Sequence, residues 1–252
     1  MSILAAFGTN IVANINPPKG LTIGQISNKF FDDILITPAN YAFAIWGIIY
    51  FGLISFAVYQ ALPRQRSNLL LQQIGYKLAI SSLAQIAWVF CFLYRQYSAS
   101  FLAMLGILLP LMAAYWCLPF KSTTNRHHRI NKQDKWLIRI PISIYLSWIS
   151  VATIVNGATV LKSWQWGGWG ISAEIWTIIM LLLAAFITHL ISIPRLDFPY
   201  AGVFVWALIA IAVKNADKLI ISGTAIGLSL ALTTLILSFS FYAPSYRNIE
   251  NS

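Results

Sequence analysis

Long apolar runs separated by short polar segments dominate the pattern along the chain. A helix that crosses a bilayer needs about 20 mostly apolar residues, because its backbone groups must bond to one another in hydrocarbon. The pattern predicts eight such helices, at residues 2–15, 41–62, 74–94, 98–120, 137–161, 172–193, 199–214 and 218–242. The first and seventh are short for a span. The chain is therefore expected to be an all-α integral membrane protein.

Prolines and polar residues mark the breaks between these runs. Pro63 and Pro194 each stop a predicted helix, and KNADK (214–218) predicts a tight polar hairpin. The most polar loop is KSTTNRHHRINKQDK (121–135). Its adjacent histidines have no carboxylates nearby, which is typical of a solvated loop, so no metal site is predicted.

Composition and charge narrow the class of protein further. Hydrophobic residues make up 58% of the chain and charged residues 10%, whereas soluble domains carry about 25% charged residues. The net charge of +10 does not indicate a nucleic-acid partner, because the basic residues lie mostly between apolar runs. With eight spans, eleven of the 17 Lys and Arg residues fall on one side. The excess predicts cytoplasmic termini in a plasma (inner) membrane.

Spacings of three and four residues place aromatic and amide side chains on one face of three predicted helices. The stripes are Phe43, Trp46 and Tyr50; Ser81, Gln85 and Trp88; and Tyr145, Trp148, Ala152 and Asn156. An amide inside a span is costly unless it faces protein or a cavity, so Gln85 and Asn156 are expected to point inward. In the predicted orientation all three stripes lie in the outer leaflet. Trp148, near mid-span, is too deep for an interfacial belt and favours a cavity.

Two structural interpretations of the same residues stay open. Tryptophan near a helix end is common at the membrane interface, which accounts for Trp46 and for Trp88. Gln85 and Asn156 could instead join helices by hydrogen bonds without any ligand. The residues alone do not choose between a cavity and these two interpretations.

The stripes resemble motifs of the TspO/MBR family, the tryptophan-rich sensory proteins that include the mitochondrial translocator protein. The family's second helix follows a W-x-P-P turn with V-W-x-x-L-Y, and here Pro38 leads to IWGIIY (45–50). Its third helix has an asparagine before a tryptophan, and here LAQIAW (83–88) has Gln85. The fifth-helix pattern Y-L-x-W-x-x-x-A-x-x-x-N is kept from Tyr145 to Asn156.

The likeness covers about residues 1–162 and has clear departures. The W-x-P-P turn is reduced to LITP (35–38), and the third-helix asparagine is Gln85. Members of the family typically have five helices, so the resemblance implies a five-helix core at residues 1–162. Residues 163–252 would then form a three-helix extension with a short tail.

The resemblance implies a ligand site as well as a fold. The family binds porphyrins, other tetrapyrroles and sterol-like molecules in a five-helix pocket, and it is linked to stress sensing and to proposed transport. By resemblance and by the stripes, the ligand-binding residues would be Trp46, Tyr50, Gln85, Trp88, Tyr145, Trp148 and Asn156. By this interpretation the protein requires no cofactor, and a porphyrin would be its ligand.

Two further motifs have alternative explanations. WQWGGWG (164–170) is typical of an interfacial anchor, although a flap over the pocket has the same pattern. Gly223 and Gly227 form G-x-x-x-G, which serves close packing either within the chain or in a homodimer.

Three functions are compatible with these features. The first is a sensory or regulatory membrane protein that binds a hydrophobic or tetrapyrrole ligand. The second is a transporter of a small apolar or amphipathic molecule, with the extension completing its path. The third is an enzyme that breaks down tetrapyrroles with light or oxygen. Because no phosphate loop, carboxylate cluster or nucleophile motif is found, we expect no ordinary enzyme and assign no catalytic residue.

Overall fold

A computed structural model describes residues 1–119 and 131–249, with side chains described as far as residue 238. The RHHR segment (126–129) lies outside the described residues. The helices are α1 (Ser2–Ile15), α2 (Ile23–Phe30), α3 (Ile45–Ala61), α4 (Leu69–Leu93), α5 (Tyr97–Trp116), α6 (Lys132–Asp134), α7 (Ile140–Ser163), α8 (Ala173–Ser192), α9 (Phe198–Lys214) and α10 (Leu219–Ile249). A 3-10 turn (Asn40–Ala44) precedes α3, and a π-helical turn (Lys135–Arg139) joins α6 to α7.

The prediction of an all-α integral membrane protein is confirmed. Within the described residues, six helical segments are long and apolar enough to cross a bilayer, and α1 and α9 are shorter apolar helices. Helix α4 begins at Leu69, ahead of the predicted residue 74, because the Asn68 side chain accepts hydrogen bonds from the first free backbone N–H groups. The predicted hairpin at 214–218 is confirmed, since α9 ends at Lys214 and α10 begins at Leu219.

Helix α2 was not predicted from the apolar runs. It has eight residues, and its N-terminus carries a capping box in which Thr22 and Gln25 each accept a backbone hydrogen bond from the other. Ile26 is buried while Phe30 is 39% exposed. Because α2 is short and polar, a search for apolar spans does not find it. The T-x-x-Q spacing, which is typical of a capping box, could have predicted its start.

The first compact unit comprises Met1–Ile34 and Phe43–Gly170. Its five apolar helices form a closed series of neighbours, in which α1 packs against α4, α4 against α5, α5 against α7, α7 against α3 and α3 against α1. Helix α2 packs on α4. The long side chains of α3, α4 and α7 that point inward meet in the interior of this five-helix bundle.

The second compact unit comprises Leu35–Ala42 and Ile171–Ser252. Its helices α8, α9 and α10 pack against one another. A Cβ atom added at Gly223 or Gly227 would meet no other described residue within 4 Å. Among the described residues, the G-x-x-x-G motif therefore makes no close helix contact within the chain. Its use in a homodimer stays a prediction.

The predicted domains, 1–162 and 163–252, stay a prediction about organisation. The compact units divide the chain between Gly170 and Ile171 and assign the short segment Leu35–Ala42 to the second unit. Hydrogen bonds within the second unit account for that assignment and are described below.

Candidate functional site

Gln85 lies at the centre of the first unit and is only 1% exposed. Its Nε2 donates to the Tyr50 hydroxyl at 2.7 Å, and its Oε1 accepts from the Tyr145 hydroxyl at 2.7 Å. The side chain of Asn10 of α1 also lies near the Tyr50 hydroxyl. One amide thus joins α3, α4 and α7, because each end of the group has a partner on a different helix.

A second polar group links α4, α5 and α7. The Trp88 indole Nε1 donates to Asn156 Oδ1 at 3.2 Å, and Asn156 Nδ2 donates to Ser100 Oγ at 3.1 Å. Asn156 is 3% exposed and Trp88 is 9% exposed. The amide of Asn156 therefore has protein partners for both its oxygen and its nitrogen.

Aromatic side chains surround these polar groups. The ring of Trp46 stacks on Tyr50 with centroids 5.4 Å apart and meets Tyr145 at 6.3 Å. The ring of Phe7 on α1 contacts the Tyr50 ring, with the two centroids 4.8 Å apart. Trp46 itself is half-buried. The result is an apolar, aromatic interior with few polar atoms.

Trp148 differs from the other predicted site residues. It is 2% exposed, and the edge of its ring contacts Phe43 with centroids 5.7 Å apart. Its indole N–H has no hydrogen-bond partner among the described residues. A buried N–H without an acceptor costs about 1–3 kcal/mol, so this donor is an exception that needs a reason.

The structure brings the seven predicted residues into one helix bundle but in three groups. Tyr50, Gln85 and Tyr145 form the first group with Trp46 stacked on it, Trp88 and Asn156 form the second, and Trp148 stands apart beside Phe43. The inward orientation expected for Gln85 and Asn156 is confirmed by their burial. A ligand-binding role for the seven stays a prediction.

Sequence reasoning missed three contributors to this interior: Phe7, Asn10 and Ser100. Ser100 is fully buried and bonds Asn156, while Phe7 and Asn10 contact Tyr50. Phe7 and Asn10 are three residues apart on α1, so helical spacing was an available signal. A lone serine near the start of an apolar helix gives no such signal.

The LITPANYA segment (35–42) has its own set of partners in the second unit. Asn215 Nδ2 donates to the Leu35 carbonyl at 2.9 Å, and the Trp206 Nε1 donates to the Ala42 carbonyl at 3.2 Å. The Ala39 N–H donates to the Ala210 carbonyl at 3.1 Å. Side chains and backbone of α9 and its C-cap therefore bond three backbone groups of a segment whose only regular structure is the start of the 3-10 turn Asn40–Ala44.

Comparison with known families agrees with this architecture. The sequence matches a family described as TSPO-like protein over residues 1–238. The match extends beyond the five-helix core and includes most of α10, so the three-helix extension lies inside the matched range. No match was found among curated proteins or among solved structures. The match covers nearly the whole sequence, and the chain belongs to the TSPO-like protein family.

Proposed function

We propose that this membrane protein binds a hydrophobic, planar ligand of the tetrapyrrole class in the interior of its first unit, in a sensory or regulatory role. The observation that carries the proposal is the buried indole N–H of Trp148, which has no hydrogen-bond partner in the part of the chain that the structure describes. A ligand atom that accepts this hydrogen bond would remove a cost that the protein alone leaves in place.

The surroundings of Trp148 favour a flat apolar ligand. Ligand sites are mostly apolar and aromatic, with a few polar groups that fix orientation. The interior near Trp148 offers the ring of Phe43, and the same helix carries Tyr145 one turn away. A porphyrin combines a large π surface for such rings with carboxylates that can accept from an indole N–H.

The hydrogen bonds already present assign different roles to the predicted residues. Gln85 and Asn156 use both ends of their amides on protein partners, so we infer that they hold the helices in place around the ligand. Trp148 would supply the orienting donor. This division makes the proposal testable, because Trp88 offers a buried indole whose N–H has a partner.

The test is a titration with protoporphyrin IX in neutral detergent, followed by the absorbance change of the porphyrin. Trp148→Phe keeps an aromatic ring and removes the donor, and we expect affinity to fall roughly tenfold, the equivalent of one hydrogen bond of about 1.4 kcal/mol. The matched control is Trp88→Phe, whose donor is engaged with Asn156; its affinity should change less than threefold.

Two results would count against the proposal. Equal affinities for the wild type and Trp148→Phe would show that the indole of Trp148 does not contact the ligand. A larger loss of affinity in Trp88→Phe than in Trp148→Phe would show that the ligand binds elsewhere. Uptake of the porphyrin into sealed proteoliposomes separates binding from transport. For a sensory protein we expect saturable binding without accumulation inside the vesicles.

A further inference from the structure

Basic side chains from three segments converge at one end of the first unit. Lys29 Nζ and Arg95 Cζ lie 5.7 and 4.7 Å from the centroid of the Phe30 ring. Lys19 Nζ lies 5.4 Å from the centroid of the Tyr94 ring, beside Arg95 in the chain. We refer to Lys19, Lys29 and Arg95 as the basic rim.

The basic rim contacts aromatic rings: Lys19 lies over Tyr94, and Lys29 and Arg95 lie over Phe30. Nearby, Asp33 forms an ion pair with Lys162 of α7, and Asp32 is its neighbour in the chain. Cation–π contacts leave a cation's charge in place, so the rim keeps three positive charges at the surface. The four cations and two carboxylates of this end leave an excess of positive charge.

The basic rim lies where membrane-spanning helices end. Helix α4 ends at Leu93 and α5 begins at Tyr97, so Arg95 occupies the turn between two spans. The Trp164 indole Nε1, just after α7, donates to Ser98 Oγ at 3.2 Å, which places the end of a third span at the same level. Phosphate groups of the lipids lie at the ends of spans, and tryptophans mark that layer.

The backbone at Arg95 adds an independent observation. Its φ is +60°, in the left-handed region that favours glycine. The Gln96 N–H donates to the Cys91 carbonyl at 2.8 Å and the Arg95 N–H to the Phe92 carbonyl at 2.9 Å, the bonds of a Schellman motif. Glycine is the usual residue at this position, so an arginine here costs about 1 kcal/mol of backbone strain.

We propose that the basic rim binds the phosphate headgroup of an anionic phospholipid. Phe30, 39% exposed, and the short amphipathic helix α2 would lie in the interface beside the acyl chains, while Lys29 and Arg95, which both contact that ring, meet the phosphate. Charge complementarity and the position at the ends of three spans select a lipid over a soluble anion. The site lies at the bundle end and is separate from the tetrapyrrole proposal.

The experiment uses the full chain in dodecyl maltoside, titrated with dioleoylphosphatidylglycerol or dioleoylphosphatidylcholine and followed by the thermal unfolding midpoint. We expect the anionic lipid alone to raise the midpoint. A basic residue near an anionic surface contributes about 1 kcal/mol, so Lys29→Gln and Arg95→Gln should each weaken the apparent affinity about fivefold.

Two controls match the charge change and the backbone change. Lys77→Gln removes a cation near the opposite end of α4. Gln165→Gly changes a residue with φ of +56° in the same hydrogen-bonding motif after α7, and pairs with Arg95→Gly. Both glycine variants should keep the fold, and of the two only Arg95→Gly should lose affinity for the anionic lipid.

Three outcomes would overturn the proposal. The first is an equal response to both lipids, and the second is an equal loss in Lys77→Gln and Lys29→Gln. The third is the same midpoint shift with millimolar inorganic phosphate, which would show a site for a free anion instead.

Discussion

The amide of Gln85 shows how a polar residue is retained inside a membrane protein. An unpaired amide in an apolar interior costs several kcal/mol, and the cost is avoided only when both its nitrogen and its oxygen have partners. Tyr50 and Tyr145 supply them from two other helices, at 2.7 Å each. The three residues therefore act as one unit, and removal of any member affects the other two.

This coupling gives the first prediction. Gln85→Met keeps the side-chain volume and removes both hydrogen bonds, so we expect it to lower the free energy of unfolding by about 1–2 kcal/mol. The same change in a Tyr50→Phe, Tyr145→Phe background should cost much less, because no hydroxyl is then left unpaired. Thermal unfolding of the four variants in one detergent measures this double-mutant cycle.

A surface glutamine on the same helix provides the control. Gln72 is exposed near the start of α4, where its Nε2 donates to the Arg66 carbonyl at 2.8 Å. Because water can replace this exposed hydrogen bond, Gln72→Met should leave the unfolding midpoint almost unchanged. If the cost of Gln85→Met were the same in both backgrounds, the tyrosine hydroxyls would not depend on the amide, and the coupling would be refuted.

At the scale of helices, α3 and α7 approach each other most closely where Gly52 faces Pro141 among the described glycines. A Cβ atom placed on Gly52 of α3 would lie 3.0 Å from Cβ and 3.2 Å from Cγ of Pro141. Pro141 has no N–H and its ring crowds the preceding turn, which accounts for the π-helical turn Lys135–Arg139 just before it. A rigid ring in a fixed helix leaves little room for adjustment.

The second prediction follows from that contact. Gly52→Ala should lower the free energy of unfolding by about 1–3 kcal/mol, the cost of an overpacked helix interface. In the same helix, Gly47 has no other described residue within 4 Å of an added Cβ atom, so Gly47→Ala should be neutral or stabilising. Unfolding midpoints in detergent compare the two, and equal effects would contradict a steric origin.

Hydropathy predicted the eight apolar helices because each helix consists of one long apolar run. Such a run is visible in the local sequence alone. The ends depended on caps, as at Asn68, and α2 depended on the pairing of Thr22 with Gln25. The partners of the LITPANYA segment could not be predicted, since Trp206 and Asn215 are far along the chain. That arrangement exists only after α9 has folded beside the segment.

The candidate site, like the fold, could be predicted from the sequence only in part. The cost of an amide inside a span predicted that Gln85 and Asn156 point inward, and both are buried. Spacing could not indicate that their amides bond tyrosine, tryptophan and serine side chains, because those partners come from other helices. For the same reason it could not single out the Trp148 N–H as a donor that has no acceptor among the described residues.

For the whole molecule, the two shortest apolar helices decide the topology. At 1.5 Å per residue, α1 with 14 residues is about 21 Å long and α9 with 17 residues about 25 Å, against a hydrocarbon core of about 30 Å. If both cross, the chain has eight spans and both termini are cytoplasmic. If neither crosses, the six longer spans keep the same loops inside but place both termini outside.

The packing of α9 favours eight spans. It contacts both α8 and α10, which are long enough to cross, and no charged residue lies between its first residue, Phe198, and Val213. One side buries Tyr200, Phe204 and Leu208, while Ile209 and Val213 are 42% and 55% exposed and apolar. A helix with an apolar exposed side between two spans is stable in lipid and costly in water.

The third prediction is therefore the location of two reporters. Alkaline phosphatase fused after Ala216, in the hairpin between α9 and α10, should be active because eight spans place that hairpin outside the cytoplasm. The same enzyme fused after Ser252 should be inactive, and a green fluorescent protein there should fluoresce. Six spans require the reverse at both positions, so the pair of fusions distinguishes the topologies even if one fusion is poorly expressed.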